Sequence, residues 1–404
     1  MPSSPSSPTV HHIEGLNMSD ESTEAEKEED AYTEYMVRVR SETIPAYEPS
    51  LGDEELALLT DVIRSNWLSE GKYVREFEAR LARISERKHA LAFCNATAAL
   101  ISGMKASGIG AGDEVIVPSF THSADPNSIA DVGATPVFAD VNEESLCLSV
   151  DTIEKALTPR TKAILFVSLY GNVSRLEDIV AYAKENSLTL INDCAPALYG
   201  SYRGKSIASY GDFSVLSFFA DKTITTGEGG MLLADDLALI EESSIYKHDG
   251  RRERGHDLIE RVGYNFRMTE MQAAIGVAQL GRIEGFVRQK KENQARYAER
   301  LAEVPEVRVF QFNAEADAVP HRTLVFVPDA QSLVHHLTSM GIGVRVTFMP
   351  MHSQPCYRTG QNLPVTDRLH STGVCLPSAP KLTDDQIDFT CGSIKDFYRT
   401  RENV

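Results

Sequence analysis

The chain has 404 residues, more than one ordinary hydrophobic core serves, so two domains or one large domain with a smaller lobe are expected. Its 42% hydrophobic and 24% charged content is that of a globular protein, and no apolar run reaches the ~18 residues that a membrane span needs. A net charge of −18 argues against nucleic acid or an anionic membrane as partner.

Part of that charge is local. Between Ser19 and Glu34 stand eight acids and one lysine, Lys27, with almost no apolar residue, so residues 1–40 read as a disordered acidic tail. The opening MPSSPSSPTVHHIEG lacks the basic segment and apolar core of a signal peptide, which makes a cytoplasmic location the expectation. The six cysteines form no CxxC pair and the eleven histidines no HExxH, so neither disulfides nor a metal site are expected.

From Pro45 onward, helical and strand patterns alternate. DEELALLTDVIRSN and YVREFEARLARISER carry apolar residues at three-to-four spacing and predict helices. HALAFCN predicts a strand running into the helix ATAALISGMKASG, which Gly108 ends. The alternation continues with strand DEVIVPS, helix SADPNSIADVG, strand TPVFADV, helix SVDTIEKAL and strand TKAILFVSLYG. Helix RLEDIVAYAKENS and strand LTLINDC close the series. This is the rhythm of a mostly parallel sheet with helices on both faces, in which ligands bind beyond the carboxyl ends of the strands. Polar residues gather at those ends: Asn95, Ser119, Thr121, Asp140, Tyr170 and Asp193. After Met231 a charged loop, KHDGRRERGHD, leads into one long helical stretch from GYNFRMTEMQ to AERLAEV. Short strands and two helices then predict a smaller α+β domain. The expected division is 41–288 for the large domain and 289–404 for the small one.

The segment SFFADKTITTGEGG sets one lysine, Lys222, in small and apolar surroundings. An amine in such a place has a destabilised ammonium form and can act as a Schiff-base nucleophile. Taken alone, Lys222 reads first as a snorkelling lysine or a partner of Asp221. Asp193, at a strand end, is either a helix cap or a carboxylate set against a pyridinium nitrogen. Asn95-Ala96-Thr97 opens a helix and is either a cap or an anion site, to which Ser217 would add a hydroxyl.

Several segments together carry a resemblance: IPAYEPSLGDEELALL, SNWLSEGKYVREFE, GAGDEVIVPSFT, VGATPVFADV, TPRTKAIL, SFFADKTITTGEGGM, GYNFRMTEMQAAIGVAQL and MPMHSQPCY. From about Ile44 to Arg399 the chain resembles the DegT/DnrJ/EryC1/StrS sugar aminotransferases. The resemblance implies an α/β protein of the pyridoxal-phosphate (PLP) dependent aspartate aminotransferase fold type I, with a mostly parallel sheet, helices on both faces and a smaller C-terminal α+β domain. It further implies Lys222 as the Schiff-base lysine and Asp193 as the partner of the pyridine nitrogen. Ala96, Thr97 and Ser217 would contact the phosphate, and His122 would stand where the ring stacks. Asn265 would reach the phosphate of the neighbouring subunit's cofactor, so a homodimer with shared sites follows. His352 is implied for the sugar or donor pocket. Within the family, SEGKYVREFE, KTITTGEGG and PMHSQPCY sit with the members that aminate the C4 keto group of a GDP-linked 6-deoxyhexose. A nucleotide-linked keto sugar and glutamate are then the expected substrates.

Three positions depart from the family's pattern. An aromatic commonly follows the Thr of PSFT, where this chain has His122 and then Ser123-Ala124-Asp125-Pro126. A polar residue commonly stands three after the aspartate, where this chain has Pro196, and Ser168 replaces a histidine before LYG. They suggest either a changed pocket or tolerated drift. Two other outcomes remain open: a PLP-dependent sugar dehydratase, which Lys222 opposes because those enzymes carry histidine there, and a member turned to a regulatory or assembly role.

Overall fold

The computed structural model describes residues 44–253 and 255–402. The expected acidic tail over 1–40 lies outside the described residues.

Two amphipathic helices open the fold, α1 (Asp53–Ser65) and α2 (Lys72–Ile84). In the first, Glu55 turns back to accept the Gly52 amide at 2.7 Å, which satisfies one of the helix's free N–H groups. The alternating part follows: β1 (His89–Phe93), α3 (Ala96–Ala106), β2 (Glu114–Pro118), α4 (Ala124–Asp131), β3 (Thr135–Ala139), α5 (Val150–Ala156), β4 (Thr161–Val167), α6 (Leu176–Glu185) and β5 (Thr189–Asp193). After the small hairpin β6 (Ser201–Tyr202) and β7 (Lys205–Ser206) come β8 (Phe213–Ser217), β9 (Gly230–Ala234) and α7 (Leu237–Lys247).

Seven strands make one sheet in the order β1-β9-β8-β5-β4-β2-β3. β2, β3, β4, β5 and β8 run parallel, and β9 runs antiparallel to both β8 and β1. Reversing β9 alone means that its first residue, Gly230, lies at the edge where the other strands end. The strands are buried on both faces, as covered parallel strands are. Along β4, Ile164 and Phe166 pack with Leu176 and Ile179 of α6, while Leu165 joins Phe138 and Ile129 on the other side.

The remaining elements are α8 (Glu270–Leu280), α9 (Ile283–Leu301), β10 (Arg308–Val309), β11 (Ala316–Asp317), β12 (Thr323–Phe326), α10 (Ala330–Ser339), β13 (Arg345–Val346), α11 (Pro364–Thr372), β14 (Gly373–Leu376) and α12 (Asp384–Glu402). β10, β12, β14 and β13 form an antiparallel sheet whose core gathers Tyr297, Val325, Leu333, Ile387 and Ile394. The single long helix expected after residue 263 is two helices parted at Gly281-Arg282. The first of them starts at a capping box: Thr269 Oγ1 accepts from the Gln272 amide, and Gln272 Oε1 accepts from the Thr269 amide. The expected domain boundary at 288/289 falls within α9, a helix that supplies residues to the cores on both sides: Phe286 to one and Tyr297 to the other. The strand β9 and the helices α7 and α11 were not anticipated from the sequence.

Candidate active site

The stretch around Lys222 is a closed loop. The amide of Phe218 donates to Gly229 O at 2.9 Å and that of Thr226 to Phe218 O at 2.9 Å, so the loop returns on itself at its base. Thr225 and Thr226 turn their hydroxyls onto the carbonyls of Phe218 and Glu228. Phe218 is fully buried and packs on Phe77 with ring centroids 4.8 Å apart. The run of threonine and glycine is thus the chemistry of a self-bonded loop, and it holds Lys222 on a rigid base.

The lysine's surroundings are less apolar than its neighbours in sequence suggest. Lys222 Nζ lies 3.5 Å from Asp221 Oδ1, and Asp221 Oδ2 accepts from Arg322 Nη2 at 2.6 Å. His321 Nε2 stands 3.7 Å from the same carboxylate. Burial works to raise the Asp221 pKa, but His321, Lys222 and Arg322 outweigh it and hold the carboxyl below the ordinary range. His321 itself is pushed down to about 3 by burial and by the cations Lys222 and Arg322, so at neutral pH the imidazole is uncharged. The carboxylate is therefore held by Arg322 and Lys222, and His321 offers it only an N–H. Lys290, fully enclosed, donates to the carbonyls of His321 and Ser378 at 3.2 and 3.1 Å. Its amine is pushed down to about 7, by burial first and then by Arg322. Tyr47, Asp221, Lys222, Lys290, His321 and Arg322 line one small pocket.

Asp193 ends β5 with Oδ1 accepting the Ala195 amide at 2.8 Å. Burial raises its pKa, while Lys222 and His122 act the other way. His122 accepts the Ala124 amide on Nδ1 at 3.1 Å, which leaves the proton on Nε2, and its ring meets Phe348 edge-on at 5.7 Å. Burial, with Lys222 adding to it, lowers the His122 pKa and keeps the ring neutral. Phe348 stacks in turn on Tyr170, 18° from parallel, and Tyr170 sits in the left-handed region at φ 55°. The next residue must be glycine, since a Cβ on Gly171 would stand 2.1 Å from Val319 O.

The start of α3 is brought to the same edge. Asn95 caps it, its Oδ1 accepting the Ala98 amide at 2.9 Å, with Ala96 and Thr97 following. Gly230 pairs with Ser217 across β8 and β9, and a Cβ there would lie 2.4 Å from Asn95 O and 2.6 Å from Ala96 N. Glycine at 230 lets the helix start seat directly beside Ser217, so a helix N-terminus and a hydroxyl share one place. Asn265 pairs with His248 in an isolated bridge, next to Phe266, whose carbonyl accepts from Cys94 N at 2.8 Å. His352 is tied to the end of β2: Ser119 Oγ accepts from its amide at 3.1 Å and donates to Nδ1 at 2.7 Å, which turns Nε2 toward Asp367 at 3.6 Å. Of the departures, Ser168 is buried with its hydroxyl 3.5 Å from Asn192 Oδ1. Pro196 lies in the turn closed by the Ala197 amide on Cys194 O at 2.8 Å.

Sequence reasoning passed over Arg322, His321, Lys290 and Tyr47, because nothing local marks residues that reach the loop from more than forty positions away. Asp125 was noted without a role.

A sheet of this order carrying a lysine loop and a buried strand-end aspartate at one edge defines a PLP-dependent sugar aminotransferase. The chain belongs to the DegT/DnrJ/EryC1/StrS aminotransferase family, whose profile matches residues 49–395. It is 38% identical over 366 residues to a GDP-perosamine synthase of Escherichia coli O157:H7, an alignment covering 88% of this chain and 98% of that one. Among solved structures, the aminotransferase TlmJ from Streptoalloteichus hindustanus superposes with a TM-score of 0.84 at 29% identity, covering 88% of this chain and 99% of that one. A sugar-aminotransferase homologue from Streptococcus pneumoniae in its PLP form gives 0.82 at 26% identity, covering 87% and 98%. The donors here fit that cofactor: a helix N-terminus beside a hydroxyl for the phosphate, a buried carboxyl for the ring nitrogen and an amine within electrostatic reach of that carboxyl. Among the described residues no helix is long and apolar enough to cross a membrane.

Proposed function

We propose that the chain moves an amino group from glutamate to the keto group, at C4, of a nucleotide-linked deoxysugar, a reading supported by its likeness to two proteins named GDP-perosamine synthase. The observation that carries the reading is Lys222 on its self-bonded loop, within the electrostatic reach of both Asp193 and His122. In this reading Lys222 holds the cofactor through Nζ and Asp193 faces its ring nitrogen. Ala96, Thr97 and Ser217 receive the phosphate, and neutral His122 lies against the ring. Bound PLP supplies an electron sink that makes the donor's Cα–H bond breakable and carries the nitrogen across. Once the donor's amine has taken its place on the cofactor, the freed Lys222 Nζ would take the proton from the donor Cα and give it up on the far side of the transfer. His352, held by Ser119 with Nε2 turned to Asp367, is assigned to the sugar or donor pocket.

Asn265 reaching the partner's phosphate makes the working unit a homodimer. Exposed apolar side chains support that: Trp67 is 61% and Val262 87% accessible, with Leu68, Leu258 and Ile259 exposed as well. A cytoplasmic site of action fits nucleotide-linked substrates.

The test has two arms. Borohydride treatment of PLP-loaded protein is expected to fix the cofactor on the peptide carrying Lys222, and Lys222→Ala to abolish both the label and the visible absorption band. Labelled glutamate is then expected to donate nitrogen to a 4-keto member of a panel of nucleotide-linked 3-keto and 4-keto sugars. Label on another lysine removes the assignment, and transfer only to 3-keto sugars removes the C4 position.

A further inference from the structure

Asp125 is a carboxyl with no cation beside it. It is 0% exposed, on the first turn of α4, three residues after His122, whose carbonyl accepts its amide at 3.2 Å. One oxygen, Oδ2, accepts from Thr121 Oγ1 at 2.5 Å. The other, Oδ1, is buried and finds no donor among the described residues. The carboxyl as a whole lies within side-chain hydrogen-bonding range of that of Asp193. Two carboxylates cannot both stay ionised in a dry site at that separation, and a hydrogen bond between them needs one proton. An unpaired buried oxygen facing another carboxyl is the mark of a missing hydrogen rather than a missing partner.

We propose that Asp125 is a positioning residue for the reaction, kept protonated so that its hydroxyl donates to Asp193 and the two together present a single negative charge to the cofactor's ring nitrogen. The proton sits on Asp125 for a stated reason. Asp193 has the Ala195 amide, and the charge of Lys222 favours its ionised form. Asp125 is the more deeply buried, and its cationic help is limited to Lys222 at longer range. Burial first, and then the neighbouring Asp193 charge, push the Asp125 pKa well above the carboxylate range. Asp193 then carries the negative charge, while its orientation is set from both sides, by Ala195 and by Asp125. The donated hydrogen bond also spreads that charge and lowers the basicity of Asp193. Asp125 thus sets how firmly the ring nitrogen keeps its proton without touching the ring.

This rests on the reading of Asp193 as the ring-nitrogen partner, and the experiment separates the two. Infrared spectra of the cofactor-free protein at neutral pH are expected to show the carbonyl stretch of a buried protonated carboxyl, absent from Asp125→Asn. No such band in wild type, or a band that survives the substitution, overturns the proposal whatever the cofactor does. In the loaded protein the resonance of an isotope-labelled ring nitrogen is followed against pH. Asp125→Asn, neutral and still a donor, is expected to keep the wild-type neutral-pH shift, and Asp125→Ala to move it. Should Asp125→Asn move it as far as Asp125→Ala, Asp125 is ionised in the protein and the proposal falls. If the alanine variant does not fold, the infrared band and the asparagine variant still decide. A ring nitrogen indifferent to Asp193→Asn instead removes the underlying reading and leaves the carboxyl pair standing.

Discussion

Replacing Arg322 by methionine tests whether the pocket around the lysine is as dry as its geometry implies. The side chains of Arg322 and Asp221 are 8% and 15% exposed, so this is a buried pair and not a surface one. Removing one member of a buried pair costs about 3–5 kcal/mol, mostly for the charge left behind. Arg322 also donates to Ala46 O at 3.2 Å and lies over the Tyr47 ring at 5.2 Å, together about 1–2 kcal/mol. Against this, Lys222 remains 3.5 Å from the stranded carboxylate and offsets part of the loss. The net expectation for Arg322→Met is about 3–4 kcal/mol. Asp221→Asn combined with Arg322→Met strands no charge and is expected to recover about 1–3 kcal/mol of the summed single losses. The assay is equilibrium urea unfolding of the cofactor-free protein at fixed concentration, with the slope checked for constancy. Single losses that add to the double within about 0.5 kcal/mol would refute the reasoning, since the two groups would then be solvated separately.

Lys290→Met is expected to alter how stability follows pH. The wild-type amine is at about 7 when folded and near 10.4 in an unfolded chain. Between those values the unfolded chain binds one more proton, so wild-type stability rises with pH across that window. The variant should be favoured most below pH ~7 and lose its advantage toward pH ~10; parallel midpoints at both ends would show that Lys290 stays charged. Glu270 is 3% exposed and accepts the amides of Gly71, Tyr73 and Val74 at 2.7, 3.0 and 2.9 Å, so one carboxylate anchors the start of α2. Glu270→Gln turns an N–H toward those donors and is expected to cost about 2 kcal/mol. Faster hydrogen exchange confined to that helix start is the readout, and unchanged protection there would count against the anchor. Gly230→Ala must push the start of α3 away from Ser217, and PLP affinity measured by equilibrium dialysis is expected to fall about tenfold or more, ~1.4 kcal/mol. Unaltered affinity would mean that the phosphate is held elsewhere.

The alternating half of the fold was legible because a covered parallel strand and an amphipathic helix each leave their own period in the sequence. HALAFCN, DEVIVPS and LTLINDC all became strands of the sheet. β9 escaped because its run, GMLLA, is only five residues long and directly follows the lysine loop with no turn signal of its own. The split at Gly281-Arg282 escaped because the helical period continues across it. In the site, Asp193 and Asn95 were visible as polar residues ending apolar runs and Lys222 as an amine among small and apolar ones, while His122 was marked only by the family resemblance. Their partners were not. Arg322 lies 101 positions from Asp221, and only folding joins them. Asp125 differs again: it stands three residues from His122 in plain view, yet its meaning depends on facing another carboxylate 68 positions on. Like charges leave no signature in a sequence, because proximity alone makes them interact.

The pocket behind the lysine loop is closed by parts of the chain that are synthesised far apart. Tyr47 comes from near the first described residues, Arg322 and Ser378 from the last quarter. Ile44 itself is clamped by Gly341 and Gly343, its amide and carbonyl both engaged at 3.1 and 2.7 Å. A ribosome-bound chain that has emerged only as far as the loop therefore has most of its central strands but neither Arg322 for Asp221 nor Lys290 and Ser378 to close the pocket. Such contacts are costly in chain entropy and form late. The amine at position 222 thus gains its fixed surroundings only when the C-terminal third has docked, so the order of synthesis and the order of assembly differ at this pocket.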